Sequence, residues 1–243
     1  MRDQSRHPWA WRPFALLAVF AFAASVGIAA APGDATAQTF RPFDEAPRDR
    51  SFAAFRDGLI KIVDARDLNA LQRHFHKNVR MGFGGQDGRK EALKVMRGDA
   101  KRWQTLARIL RRGGRFERTK WRCRTKDGAK PCVLPGFIAP YTYWANPPSG
   151  RDAYETMVII GSGVNIRANP NRSARVVARL SYRIVATPKK PRKNVPDDWV
   201  EIEWPRGKRG FVARRFAVSP IDYRVGFVKE NGRWQMTFFL AGD

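Results

Sequence analysis

The sequence predicts an α+β protein: an N-terminal helix-plus-sheet domain, a small β-barrel, and a closing β-hairpin that belongs with the first domain. Three observations lead there. Apolar residues recur at three- and four-residue steps between residues 51 and 112, a spacing that lines one face of a helix. After residue 156 the pattern becomes alternation in short runs cut by Asn, Pro and Gly, the pattern of short strands and tight turns. A last alternating pair, residues 221–228 and 234–240, stands beyond the barrel, joined through Asn231-Gly232, the strongest short hairpin signal.

Arg2, Arg6 and Arg12 precede an uncharged run from Pro13 to Gly33, and Ala35-Thr36-Ala37 offers a small-x-small cleavage site. That layout predicts a signal peptide over residues 1–37 and a periplasmic or secreted protein. The competing reading is an uncleaved anchor, because the run is long enough to cross a bilayer at ~20 residues. Its Ala-rich second half and the prompt cleavage site favour removal. Residues 38–50, with Pro42 and Pro47 among charges, read as a linker.

Ser51 is the expected cap of a first helix carrying Phe52, Phe55, Leu59, Ile62 and Val63, and Asp67 of a second carrying Leu68, Leu71 and Phe75. Residues 79–83 read as a strand entering Gly84-Gly85. Residues 89–112 read as a helix with Trp103, Leu106, Ile109 and Leu110 on its apolar side, interrupted at Gly98 and ended by Gly113-Gly114. Cys123 and Cys132 flank an Asp127-Gly128 turn signal, so two strands meeting there bring the thiols into bonding range. A disulfide across so short a loop contributes about 2–3 kcal/mol in the chain-entropy model. The alternatives, a reactive thiol or half of a metal site, lack supporting residues nearby. Residues 133–144 read as extended, and Pro147-Pro148-Ser149-Gly150 is the clearest break in the chain. The first domain is therefore expected to comprise residues 51–150 plus 221–243.

Within residues 156–219, Val164-Asn165-Ile166-Arg167-Ala168-Asn169-Pro170 reads as a strand running into a turn. Residues 176–180 and 182–186 give two more strands, Trp199 to Trp204 alternates again, and Pro205 to Lys208 turns the chain before Gly210-Phe211-Val212. This order resembles the bacterial SH3 (SH3b) family, element by element, over about a quarter of the chain. The resemblance implies a small barrel that binds rather than catalyses. The helix-helix-strand opening and the closing "FVKENGRW" hairpin resemble NTF2-like cone folds by pattern, which implies that the barrel is inserted into a host domain whose last strands follow it. The competing layout is two consecutive domains, with the final hairpin packed on the barrel.

Chemistry is harder to find. The histidines after residue 37 are His74 and His76, read as partly exposed helical residues; with no third histidine a zinc site is not expected. No Gly-x-Ser-x-Gly elbow or Gly-Lys-Ser/Thr phosphate loop occurs. In the cysteine-peptidase pattern that often accompanies SH3b modules, a histidine follows the nucleophile; here none follows Cys123. Asp64, Asp67 and His74 could serve a cone-shaped pocket, but no spacing selects them. No catalytic residue and no cofactor is expected.

The formal charge of +24, from 46 Lys plus Arg against 22 acids, draws polyanions through long-range field and counterion release, and it also serves solubility. Twelve of the cations fall between Arg97 and Lys126, with only Asp99 and Glu117 among them. On the barrel, Tyr182, Trp199, Trp204 and Phe211 are the candidate binding aromatics, and Lys189, Lys190 and Arg192 a basic rim. Alternation sets Trp199 on the face opposite Val200, Ile202 and Trp204, so one tryptophan is expected to face outward unless the loop from Pro188 to Pro196 covers it. The expected function is non-catalytic binding of a cell-envelope ligand, peptidoglycan or another anionic surface component. Nucleic acid is not expected as the partner in vivo, and a membrane role is expected only if the leader is retained. The alternatives are a periplasmic scaffold that binds a protein partner, and a small-molecule enzyme using the N-terminal domain.

Overall fold

The structure is a computed structural model that describes residues 38–242 apart from 86, 127 and 206. The expected signal peptide lies outside the described residues, as do Asp127 and Arg206 of two expected turns.

Helix α1 (Arg50–Asp64) starts one residue after Asp49, whose carboxylate accepts from the Ser51 and Phe52 N–H groups at 2.8 and 3.0 Å. The cap is therefore Asp49 and not Ser51, which sits in the first turn and donates its own hydroxyl to Asp49. Asp67 caps the short helix α2 (Leu68–Leu71) through the Ala70 N–H. Strand β1 (Phe75–Arg80) begins earlier than the apolar pattern indicated and contains His76, which is thus neither helical nor exposed. The long helix expected over residues 89–112 is two: α3 (Arg89–Gly98) and α4 (Ala100–Leu110). They divide at Asp99, which is extended and turns its carboxylate to the Lys101 N–H at 2.8 Å. The Trp103 indole donates to the Met96 carbonyl at 2.9 Å and pins one helix to the other.

Strands β2 (Arg115–Thr125) and β3 (Gly128–Ala139) pair along their whole length. Cys123 and Cys132 are joined by a disulfide. The chain then lays down β4 (Thr156–Ile159), β5 (Val164–Arg167), β6 (Val176–Leu180), β7 (Ile184–Ala186), β8 (Trp199–Trp204), β9 (Lys208–Ala213) and β10 (Ala217–Val218), a separate sheet in the order β10-β4-β7-β8-β9-β5-β6. Only afterwards come β11 (Arg224–Glu230) and β12 (Arg233–Leu240), which join the first sheet in the order β1-β12-β11-β3-β2. The closing hairpin thus occupies the middle of the N-terminal sheet, antiparallel to β3 on one side and parallel to β1 on the other. Its turn has Asn231 and Gly232 at φ 49° and 75°, as a two-residue hairpin of this twist requires.

The two sheets have different cores. Phe52 of α1 is the hub of the first, its ring centroid 4.2 Å from that of Phe137 and 4.7 Å from that of Trp234. Leu59, Met96, Leu106, Phe227 and Phe239 complete it, so all three long helices cover the sheet face that the late hairpin helps to build. The second core gathers Met157, Ile159, Val164, Ile166, Val185, Val200, Ile202, Val212 and Ala217, with Val177 and Trp204 against them. Seven flat strands would span ~30 Å, so a core shared by both ends requires a strongly curled sheet. Among the described residues it is not a closed barrel, because β10 and β6 stand at its two margins and do not pair with each other.

Residues 38–50 are not a loose linker. Thr39 bridges Arg183, the Phe40 N–H donates to the Tyr182 carbonyl at 2.7 Å, and the Glu45 N–H donates to the Gly114 carbonyl at 2.9 Å. Ala46 is fully buried.

Candidate functional site

A groove of about 490 Å³ opens on the second sheet beside Trp199. Alternation along β8 puts Trp199 on the face away from the core, with Glu201 and Glu203, while Val200, Ile202 and Trp204 turn inward. Phe211, paired with both Glu201 and Arg167, belongs to the same outer face. Trp199 is only 6% exposed, so it forms a wall of the groove and not a free stacking platform.

Four arginines line the same groove from two loops. Arg167 ends β5 and Arg172 lies in the Asn-Pro loop that follows; Arg214 and Arg215 come from the single 3₁₀ turn after β9. Each loop is held by its own hydrogen bonds. Arg167 Nη1 donates to the Ala174 carbonyl at 2.6 Å, and Asn171 Oδ1 accepts from the Ala174 N–H at 2.7 Å. Arg214 donates to the carbonyls of Asp197 and Trp199, and Arg215 lies over the Phe216 ring at 4.8 Å. Among the described residues no carboxylate pairs with any of the four, and Asp198 is the one acid on the groove wall. Arginines that spend donors on neutral carbonyls keep their charge uncompensated, so the groove is electropositive and supplies forked donors that suit carboxylates and phosphates.

The other expected binding residues are not gathered there. The loop before β8 folds over Phe211, which is 1% exposed, and sets the Arg192 guanidinium 5.2 Å above its ring. Arg192 is itself engaged: its N–H donates to buried Glu201 at 2.6 Å and its Nε lies 3.9 Å from the same carboxylate. Arg151 and Arg209 both reach Glu203, at 2.9 and 3.4 Å. The outer face is thus neutralised at its middle, where Glu201 and Glu203 take up Arg192, Arg151 and Arg209. Lys189 and Lys190 are exposed on that covering loop. Trp204 packs on the inner core, and Tyr182, at φ 49°, is tied through its carbonyl to Phe40.

The N-terminal domain has a second concavity, about 610 Å³, lined by His76, Trp121, Lys77, Lys120, Arg122 and Glu230 among others. His76 is 4% exposed; its Nδ1 accepts from the Asn78 N–H at 3.1 Å and its Nε2 lies 3.5 Å from Glu230 Oε2. Burial pushes its pKa below the ordinary value of 6.5 and outweighs the upward pull of Glu230. With Nδ1 occupied by a backbone donor, the ring has no lone pair to offer a substrate. Asp64 pairs with Arg111, Asp67 caps α2, and His74 leans on Phe55, so those three form no acid–base group. Among the described residues no cluster of His, Cys, Asp and Glu is arranged to hold a metal ion.

The Cys123–Cys132 disulfide is compatible with an exported protein in an oxidising compartment. No helix among the described residues is long and apolar enough to cross a membrane. No protein-family model matches the chain, and no curated protein matches it. Among solved structures, a variant of the designed NTF2-like protein Rd1NTF2 aligns over 78% of this chain and 95% of its own, at 13% identity and a TM-score of 0.25. A superposition that loose carries no argument about fold family or function.

Proposed function

We propose that this is an exported, non-catalytic protein in which residues 156–219 form an SH3b-like module, carried as an insertion within an NTF2-like host. On this reading the module binds an anionic component of the cell envelope, with peptidoglycan and its carboxylate-bearing peptides as the leading candidate. The observation that carries the reading is the groove beside Trp199, where four arginines meet an aromatic wall and, among the described residues, have no carboxylate partner. Elsewhere on the same face Glu201 and Glu203 match Arg192, Arg151 and Arg209, whereas the four groove arginines have no carboxylate partner among the described residues. Topology supports the insertion, since β11 and β12 follow the second sheet in sequence yet pair with β3 and β1.

The test is retention on purified peptidoglycan across a salt series, comparing the wild type with an Arg172→Ser/Arg215→Ser variant. Binding that survives physiological salt and is lost in the variant supports the proposal. Absence of retention even at low salt contradicts it, and retention that vanishes at physiological salt assigns the binding to net charge alone.

A further inference from the structure

We propose that the β2–β3 ribbon is a docking face for a bilayer carrying anionic phospholipids, separate from the Trp199 groove. Among the described residues β3 pairs with β11 through Gly136–Ala139, and Gly128 to Pro135 have β2 as their strand partner. The result is a two-stranded ribbon extending past the sheet, clamped by the Cys123–Cys132 disulfide.

Side chains on a strand alternate between faces. Arg118, Lys120 and Arg122 therefore share one face, and their directly paired neighbours Pro135, Val133 and Pro131 share it with them. Glu117, the acid on β2, falls on the other face and accepts from Thr119. Arg118, Lys120 and Arg122 are exposed, and among the described residues none of them pairs with a carboxylate; Arg122 donates only to the Ala129 carbonyl, at 3.3 Å. Successive cations stand ~7 Å apart along an extended strand. Val133, 49% exposed, is one of the few large apolar side chains left in solvent and stands directly across from Lys120.

A row of uncompensated cations selects a polyanion. An exposed valine flanked by two prolines selects further, because it contributes nothing to a hydrophilic polymer but can enter the apolar boundary beneath anionic headgroups. Cation attraction plus shallow apolar insertion is the chemistry of a protein lying on an anionic bilayer.

The test is co-sedimentation of the full chain with phosphatidylcholine vesicles, with and without phosphatidylglycerol. Each Lys or Arg near such a surface is worth roughly five-fold in binding, so Lys120→Ser/Arg122→Ser is expected to weaken it about thirty-fold. Val133→Ser is expected to weaken it further, and Arg172→Ser/Arg215→Ser to leave it unchanged. Equal binding to both vesicle types, wild-type binding by the ribbon variant, or loss in the groove variant would overturn the proposal. So would binding to soluble polyglutamate that depends on Lys120 and Arg122 while Val133→Ser is silent on vesicles, which would assign the ribbon to a linear polyanion. Hydrogen exchange of the wild type on vesicles gives a reading independent of variant folding. Protection over residues 118–133 supports the proposal, and protection confined to residues 198–216 overturns it.

Discussion

The imidazole of His76 meets the indole of Trp121 edge to face, ring centroids 5.0 Å apart and planes at 76°, although β1 and β2 are the two margins of the five-stranded sheet. In a flat sheet those margins would lie ~19 Å apart. The sheet therefore curls until its edges touch, and the pair is the clasp. Trp121→Ala is expected to destabilise the protein by about 2 kcal/mol, below the cost of truncating a fully buried tryptophan because this ring is half-buried. Urea unfolding measures it; a change within a few tenths of a kcal/mol would remove the clasp.

The same histidine makes stability depend on pH. His76 and His74 both have pKa values below the ordinary 6.5, chiefly through burial. The unfolded chain then takes up protons more readily than the folded one, so stability is full above 6.5 and is lost as pH falls from there toward the folded values. The melting temperature should drop across that window, and His76→Gln should flatten the drop. A slope unchanged in the variant would assign it to other groups.

Gly226 lies in β11 where a Cβ would be driven into the Phe238 ring. Gly226→Ala should therefore cost about 1–3 kcal/mol by overpacking. Thermal melting checks this, and a neutral result would mean that Phe238 has room to move aside.

The disulfide links residues nine apart at the end of a ribbon that has no third strand among the described residues. Cys123→Ser/Cys132→Ser should lower stability by about 2–3 kcal/mol through a less restricted unfolded chain. Hydrogen exchange should loosen over residues 118–135 and stay protected at Phe227 and Phe239. Loosening spread evenly over the first core would show that the ribbon is not an independent unit.

Much of the architecture is legible in the sequence because short alternating runs and turn residues act locally. The strands at Val164, Val176 and Trp199 and the Asn231-Gly232 hairpin fall where the pattern sets them. The division at Asp99 is less legible, since Gly98 is the helix-weakening residue type while the neighbouring carboxylate makes the cap. The outward side of Trp199 follows from alternation alone. Its four arginines do not, because Arg167 and Arg172 reach the groove from one loop and Arg214 and Arg215 from another, with β6 to β9 between them in sequence. One signal was available: no acid occurs between Glu155 and Asp197, so cations in that segment must find partners elsewhere. Glu201 takes Arg192, and only the folded structure shows which are left over. The burial of Phe211 and the pairing of Arg192 with Glu201 are not legible for the same reason, as whether a loop covers a ring is a tertiary matter.

The most direct test of the central claim is calorimetric titration of soluble peptidoglycan fragments bearing free carboxylates into the wild type and the Arg172→Ser/Arg215→Ser variant at physiological salt. Loss of two charge-assisted contacts, each worth about 1.5–3 kcal/mol, should weaken binding by at least a hundred-fold with the melting temperature unchanged. Equal affinity in the two proteins would contradict the assignment of the groove beside Trp199 as the binding site.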